Sequence, residues 1–364
     1  MHRILITGAT GFVGSSLAAT FLSTNAHVVA VSRNDPAGAR TLSAVKAAAE
    51  GNGLDIGTAL ATRFETINVD FDNLEAHLPS ASLAEITEVW HVAAEMSYSP
   101  HKLSQSFAAN VGNTSRLYER VLKYAPSCRR FYHVSTAYVA GMAGGVVREQ
   151  MHAWSALVNP YQVTKWGAEQ ALNLLHHRHG LPVTVFRPTI VIGNRRTCWA
   201  HRNGLGFYMF LDAMADFARA GHKELAVDLV GSTRPDLVSI DQLMEDAAAL
   251  VRRGASSNNF EVFHSSGGLQ VCVEELVSIW GDSVGVLATI GVPATAVEQQ
   301  FDRGVERNRS FACTEWAFER DKLNAAIGRD TSPKPLTPAE LRRLCHWYAN
   351  TSVSRASAMP ADVT

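Results

Sequence analysis

MHRILITGATGFVGSSLAATFL, residues 1–22, decides the fold. A short apolar run, Ile4–Ile6, leads into Thr7-Gly8-Ala9-Thr10-Gly11-Phe12-Val13-Gly14, and a helical stretch, Ser15–Leu22, follows. Glycine permits a tight turn and lets backbone approach a bulky anion. The first turn of the next helix offers unpaired N–H groups and the positive end of its dipole. Strand, glycine turn and helix in that order make a phosphate cradle, so Gly8, Thr10, Gly11, Phe12, Val13 and Gly14 are candidate dinucleotide contacts. The spacing is G-x-x-G-x-x-G rather than the commoner G-x-G-x-x-G.

Further along, Val28–Val31 is a continuous apolar run, the mark of a strand buried on both faces, and Phe64–Val69, Val89–Val92, Phe131–Val134 and Val183–Phe186 are later strand candidates. Helical patterns at Arg40–Glu50, Ser106–Tyr124 and Tyr161–His177 separate them. This alternation predicts an α/β fold with a doubly wound parallel sheet. After residue 190 the pattern changes to helices at Leu205–Arg219 and Ile240–Arg252 and short strands at Ala226–Val230 and Phe260–His264. Thr337 and Pro338 open a last helix that runs to Tyr348. The expected organisation is a dinucleotide-binding core over 1–190, a smaller C-terminal α/β substrate lobe over 191–355 with some segments returning to the core, and a loose tail over 356–364.

Composition narrows the function. Of 364 residues 46% are hydrophobic and 18% charged, enough apolar surface for a core. The net charge of −1 excludes a global basic footprint for nucleic acid. Five cysteines without a C-x-x-C pair point away from zinc ribbons and redox motifs and towards a reducing, cytoplasmic setting. The first strand begins so early that a cleavable signal peptide has no room, and no apolar run is long enough to span a membrane.

Two further features bear on chemistry. The end of the second strand reads Ser32-Arg33-Asn34. An acid there would bind the ribose hydroxyl of NAD, whereas an arginine accommodates the 2′-phosphate of NADP. Asp35, the competing acid, precedes Pro36 and reads as a helix cap. Tyr161 and Lys165 are four apart on a helix, so phenol and ammonium share a face. Positive charge nearby is expected to lower the phenol pKa and fit Tyr161 for proton transfer.

T-G-x-x-G-x-x-G with Y-x-x-x-K resembles the extended short-chain dehydrogenase/reductase superfamily, which implies a Rossmann-type core. The resemblance assigns a hydroxyl donor to the stretch His133-Val-Ser-Thr-Ala-Tyr-Val-Ala-Gly141, where Thr136 is preferred and Ser135 is second. It implies a catalytic set of Thr136, Tyr161, Lys165 and Asn110. It also implies cofactor contacts at Ser32, Arg33, Asp70, Phe71, Ala93, Ala94, Tyr161, Lys165, Pro188, Thr189 and Ile190.

A narrower resemblance, carried by Tyr161–Gln170, His91–Ala94, Asp236–Asp241 and Phe263–Ser266, is to thioester reductases of the carboxylic acid reductase type and male-sterility-type fatty acyl-CoA reductases. It implies NADP(H)-dependent reduction of a small-molecule or carrier-bound acyl thioester to aldehyde or alcohol, with no metal. The alternatives are a ketone/alcohol oxidoreductase, a sugar-nucleotide epimerase or dehydratase, and a non-catalytic NADP sensor. A homodimer built on the Ser106–Tyr124 and Tyr161–His177 helices is a further implication. His176, His177 and His179 read as helix-end residues, and Phe207, Tyr208, Phe210, Leu211, Met214 and Phe217 as packing.

Overall fold

A computed structural model describes residues 2–153, 155–201, 206–254, 259–269, 271–328 and 335–356 of the chain. It divides into two compact units. The first comprises Met1–Thr189, Ile240–Ser266 and Phe318–Ser332; the second comprises Ile190–Ser239, Gly267–Ala317 and Pro333–Thr364.

The first unit is built on seven strands: β1 (Arg3–Thr7), β2 (His27–Ser32), β3 (Phe64–Asn68), β4 (Glu88–His91), β5 (Arg130–Val134), β6 (Val183–Pro188) and β7 (Phe260–Ser265). They form one sheet in the order β7-β6-β5-β4-β1-β2-β3. Every pairing is parallel. This is the Rossmann-type doubly wound sheet expected from the glycine turn, with its strand order reversing at β1.

Continuous apolarity has its physical cause here, since β4, β5 and β6 are buried at every position. Side chains alternate across the sheet. Trp90 and Tyr132 stack at 4.4 Å on one face, with Phe21 and Phe186 against Trp90. Leu5, Val29, Val89 and Phe131 join Leu117, Tyr118 and Leu172 in another buried cluster. At the sheet's edge β3 is polar, and its Glu65 accepts from Arg3 and His27.

The helices that position the site are α1 (Phe12–Ser23), α2 (Ala39–Gly51), α3 (Asn113–Tyr124), α4 (Pro160–His179) and α5 (Ile240–Arg253). The helix expected over Ser106–Tyr124 is not continuous. A short helix, Leu103–Phe107, passes through a wide π-type turn, Ala108–Gly112, before α3 begins. Such a turn displaces one residue from regular packing and often marks a functional position; here that residue is Asn110. At the far end of α4, Gly180 adopts the left-handed conformation with φ 80°, and His176 bonds the Leu181 carbonyl.

In the second unit Phe207, Tyr208, Phe210, Leu211, Met214 and Phe217 are all buried in one core with Trp280 and Tyr348, as packing requires. Its parallel strand pairs are Ile190–Ile192 with Leu237–Ser239 and Glu224–Val227 with Leu287–Ile290. The helix Pro338–Ala356 starts as anticipated, with Thr337 accepting from the Glu340 amide and Glu340 accepting from the Thr337 amide. Leu205 and the tail beyond Ala356 lie outside the described residues.

Candidate active site

The three turn glycines have different tasks. Gly8 has φ +77°, and a Cβ there would lie 2.7 Å from the Ala93 amide nitrogen. At Gly14 a Cβ would lie 2.2 Å from the Gly8 carbonyl oxygen. These two let the turn fold against β4 and against itself. Gly11 differs, since a Cβ there meets only the Gly8 oxygen, at 3.5 Å. Gly11 is also the N-cap of α1, with no side-chain cap bond and no acid in the first turn. An open cradle lined by helix N-terminal amides fits the pyrophosphate of a dinucleotide. Thr10, Phe12 and Val13 rim it and are partly exposed.

Thr7 locks the turn to its neighbour. Its hydroxyl oxygen accepts from the Val92 and Ala93 amides, both at 3.2 Å, and lies 2.8 Å from His91 Nδ1. His91 Nε2 lies 2.9 Å from the Thr114 hydroxyl, which donates to the Asn110 carbonyl at 2.6 Å. Thr114 having spent its proton, His91 must donate through Nε2 and accept through Nδ1. Burial and the Lys165 charge push His91 down to about 3, so it is neutral. Ala93 and Ala94 follow at the β4 end, small and half-buried beside the turn.

From that point the bonds continue into α4. Asn110 accepts from the Glu95 amide at 2.7 Å and donates to the Glu95 carbonyl at 2.8 Å and to Thr164 at 2.9 Å. Its carboxamide is thus occupied in tying the loop after β4 to the helix that bears Tyr161 and Lys165. This makes Asn110 a positioning residue in geometry.

Tyr161 and Thr136 lie near one another, close enough for the Thr136 hydroxyl to act on the phenol, and Thr136 also caps the turn Ala137–Ala140. Ser135, the second choice, has its hydroxyl buried with no partner among the described residues. The ring of Tyr98, which sequence reading did not single out, stacks 6.2 Å from that of Tyr161.

The expected lowering of the phenol pKa is reversed. Burial, with Tyr98 alongside, pushes the Tyr161 phenol up, and the nearby Thr136 hydroxyl only partly opposes this. The reason is where Lys165 points. Its ammonium donates to the Val134 carbonyl at 2.6 Å and lies 3.3 Å from His133 Nε2. Its own burial pushes it down to about 7.

The remaining candidates are more dispersed. Ser32 is buried, its hydroxyl 3.0 Å from that of Thr41, whereas Arg33 is exposed. Asp35 accepts from the Arg40 and Thr41 amides and the Thr41 hydroxyl, so it caps α2 from three residues before Gly38. The helix accordingly opens at Ala39 rather than at Pro36. Asp70 is exposed and its carboxylate caps its own turn through the Asp72 amide, while the Phe71 carbonyl accepts from Arg116. Pro188 ends β6, the Thr189 amide donates to the Ser265 carbonyl, and Ile190 opens the second unit.

Two buried charge clusters brace the first unit. Arg187 on β6 grips Glu169 on α4 through two bonds, 3.0 and 2.6 Å. Glu149 accepts from the His264, Lys322 and Leu323 amides, and burial raises it to about 7. No sequence motif signals Glu149. His133, in contrast, lies within the quoted donor stretch, and its pairing with His91 at the same register on adjacent strands was the available clue.

A family model described as male sterility protein matches residues 6–241, from β1 to the first turn of α5. The chain belongs to the male sterility protein family. Among curated proteins, isonitrile lipopeptide synthase of Streptomyces coeruleorubidus is 29% identical over 199 residues, 54% of this chain. The chain spans only 13% of that relative's length.

Among solved structures, the terminal R domain from the myxalamid PKS-NRPS biosynthetic pathway superposes with a TM-score of 0.75 at 20% identity, covering 100% of this chain and 93% of that one. UDP-glucuronic acid 4-epimerase from Bacillus cereus, in complex with NAD, superposes with a TM-score of 0.69 at 21% identity, covering 97% and 98%. At these identities the two structures share the fold. The fold and the family match together make this chain an NAD(P)-dependent enzyme of the extended short-chain dehydrogenase/reductase type. Among the described residues, no helix is long and apolar enough to cross a membrane.

Proposed function

We propose that the chain is an NADP(H)-dependent reductase of acyl thioesters, carried on coenzyme A or on a carrier protein, yielding an aldehyde or an alcohol. The observation that supports it most is the family match over residues 6–241, which takes in the neighbouring hydroxyls of Thr136 and Tyr161. A protonated phenol can donate to an oxygen that gains negative charge during reduction; oxidation would need it as a base. The family match and the R-domain likeness support the thioester class.

The residues have these roles. Amides of Gly11–Val13 hold the pyrophosphate, and Arg33, exposed at the β2 end, reads the 2′-phosphate. When bound, the cofactor supplies a hydride at its nicotinamide ring. Thr136 and Tyr161 bond the substrate carbonyl oxygen and stabilise the charge that develops there. Tyr161 then gives up its proton to that oxygen, with Lys165 bonding the ribose beside it; the resulting hemithioacetal breaks its C–S bond, the hydroxyl proton passes to sulfur, and thiol and aldehyde leave. Asn110 holds the loop after β4 and Thr164 in register with these groups. The second unit is assigned the acyl-binding role. The five cysteines, all free thiols, suit a cytoplasmic setting.

The test is NADPH oxidation with acyl-CoA, carrier-bound acyl, aldehyde and ketone substrates, with released thiol followed by a thiol reagent. Thiol release in step with NADPH loss is expected. Consumption with ketones or aldehydes but never with a thioester would replace this reading with a carbonyl reductase using the same residues.

A further inference from the structure

We propose that His133 is a positioning residue for Lys165: a neutral imidazole, protonated on Nδ1, that accepts from the lysine ammonium and holds it charged and aimed. The proposal rests on the cofactor reading above for the role of Lys165.

The geometry leaves little choice of tautomer. While it carries its charge Lys165 has only donors, and its Nζ lies 3.3 Å from His133 Nε2, so in that state Nε2 is the acceptor and Nδ1 bears the proton. That Nδ1 is buried with no partner among the described residues. An orphaned buried N–H is costly, and a leucine or phenylalanine in β5 would avoid it. Packing therefore does not account for a histidine at this position; the contact to Lys165 does. Its strand neighbours Phe131, Tyr132 and Val134 are buried apolar or aromatic side chains.

Three other groups set the charge around Lys165. Glu169, one turn further along α4, favours the ammonium. His91 on β4, its ring 5.6 Å from that of His133, is kept neutral by burial and the Lys165 charge, its Nε2–H donating to Thr114 and its Nδ1 accepting from Thr7. Tyr161 is protonated. His133 is therefore the imidazole with a lone pair facing Lys165. Together with the Val134 carbonyl it offsets the burial that drives the lysine towards its neutral form.

The test uses the whole chain and two readouts. In the cofactor-free protein labelled with ¹⁵N-histidine, the His133 resonances, assigned by their loss in His133→Gln, should report the Nδ1–H tautomer at pH 6, where Lys165 is charged and His133 still neutral; an Nε2–H tautomer there overturns the proposal. The NADPH dissociation constant, followed by fluorescence from pH 6 to 9.5, should rise as Lys165 loses its proton. In His133→Met, which removes the acceptor at similar volume, the midpoint of that rise should fall by about one pH unit. In His133→Gln, which can accept through Oε1, it should return to within a few tenths of wild type. An unchanged midpoint in His133→Met, or equal shifts in both variants, overturns the proposal. Should His133→Met fail to fold, the tautomer decides it. A wild type that binds no NADPH refutes the cofactor reading and leaves the tautomer test standing.

Discussion

Alanine at each turn glycine separates folding from binding. At Gly14 the new methyl would lie 2.2 Å from a backbone oxygen, so the turn must shift. Overpacking of this kind costs about 1–3 kcal/mol, and the better helix preference of alanine returns at most about 1 kcal/mol. Gly14→Ala should therefore melt a few degrees below wild type. Gly8→Ala should be worse, because the left-handed φ of +77° adds strain to the 2.7 Å approach to Ala93.

Gly11→Ala should behave differently. Its methyl meets only one atom, at 3.5 Å. Alanine is a poorer N-cap than glycine by up to about 1 kcal/mol, and the stiffer unfolded chain offsets about 0.4–1 kcal/mol of that. Stability should hardly change. The methyl, however, stands where the pyrophosphate must reach the α1 amides. Losing one charge-assisted bond there, about 1.5–3 kcal/mol, weakens NADPH roughly tenfold to a hundredfold. Thermal unfolding and NADPH fluorescence titration on the three variants decide it. A Gly11→Ala protein that binds NADPH like wild type, or a Gly14→Ala protein that melts with it, refutes the division of labour.

Arg33→Ala should weaken NADPH about tenfold to a hundredfold and leave NADH unchanged, since only the former carries the 2′-phosphate; equal losses would remove Arg33 from phosphate recognition. Tyr161→Phe and Thr136→Ala should each lower turnover by about 10²–10³ while NADPH titrations stay at wild-type affinity; a Thr136→Ala enzyme at full rate would return the role to Ser135. Lys165 has its pKa depressed from 10.5 to about 7 by burial, so the unfolded chain binds the extra proton between those values and wild-type stability climbs as pH rises through that window. Lys165→Met should accordingly be more stable than wild type near pH 7, with the gap narrowing towards pH 10; urea unfolding across that range would show a constant gap if the lysine were not buried as a charge. Light scattering at micromolar concentration tests the homodimer built on α3 and α4, and a sharp monomer mass ends it.

The sheet was readable from sequence because its signals are local. Glycine spacing reports a turn within eight residues, and an apolar run such as Val28–Val31 reports burial on both faces whatever the partner strand is. The Tyr161–Lys165 spacing likewise puts both side chains on one helix face. Direction within that face is another matter. Lys165 turns to Val134 and His133 rather than lowering the phenol pKa, because β5 offers a carbonyl and an imidazole that only strand-to-helix packing brings within reach.

Glu149 has no local signature, for its three amide partners come from β7 and from residues 322–323, far along the chain. The return of Ile240–Ser266 and Phe318–Ser332 to the first unit follows the same logic. Periodicity reports how a segment is buried. What it is buried against depends on contacts between residues distant in sequence, and only the tertiary structure supplies those.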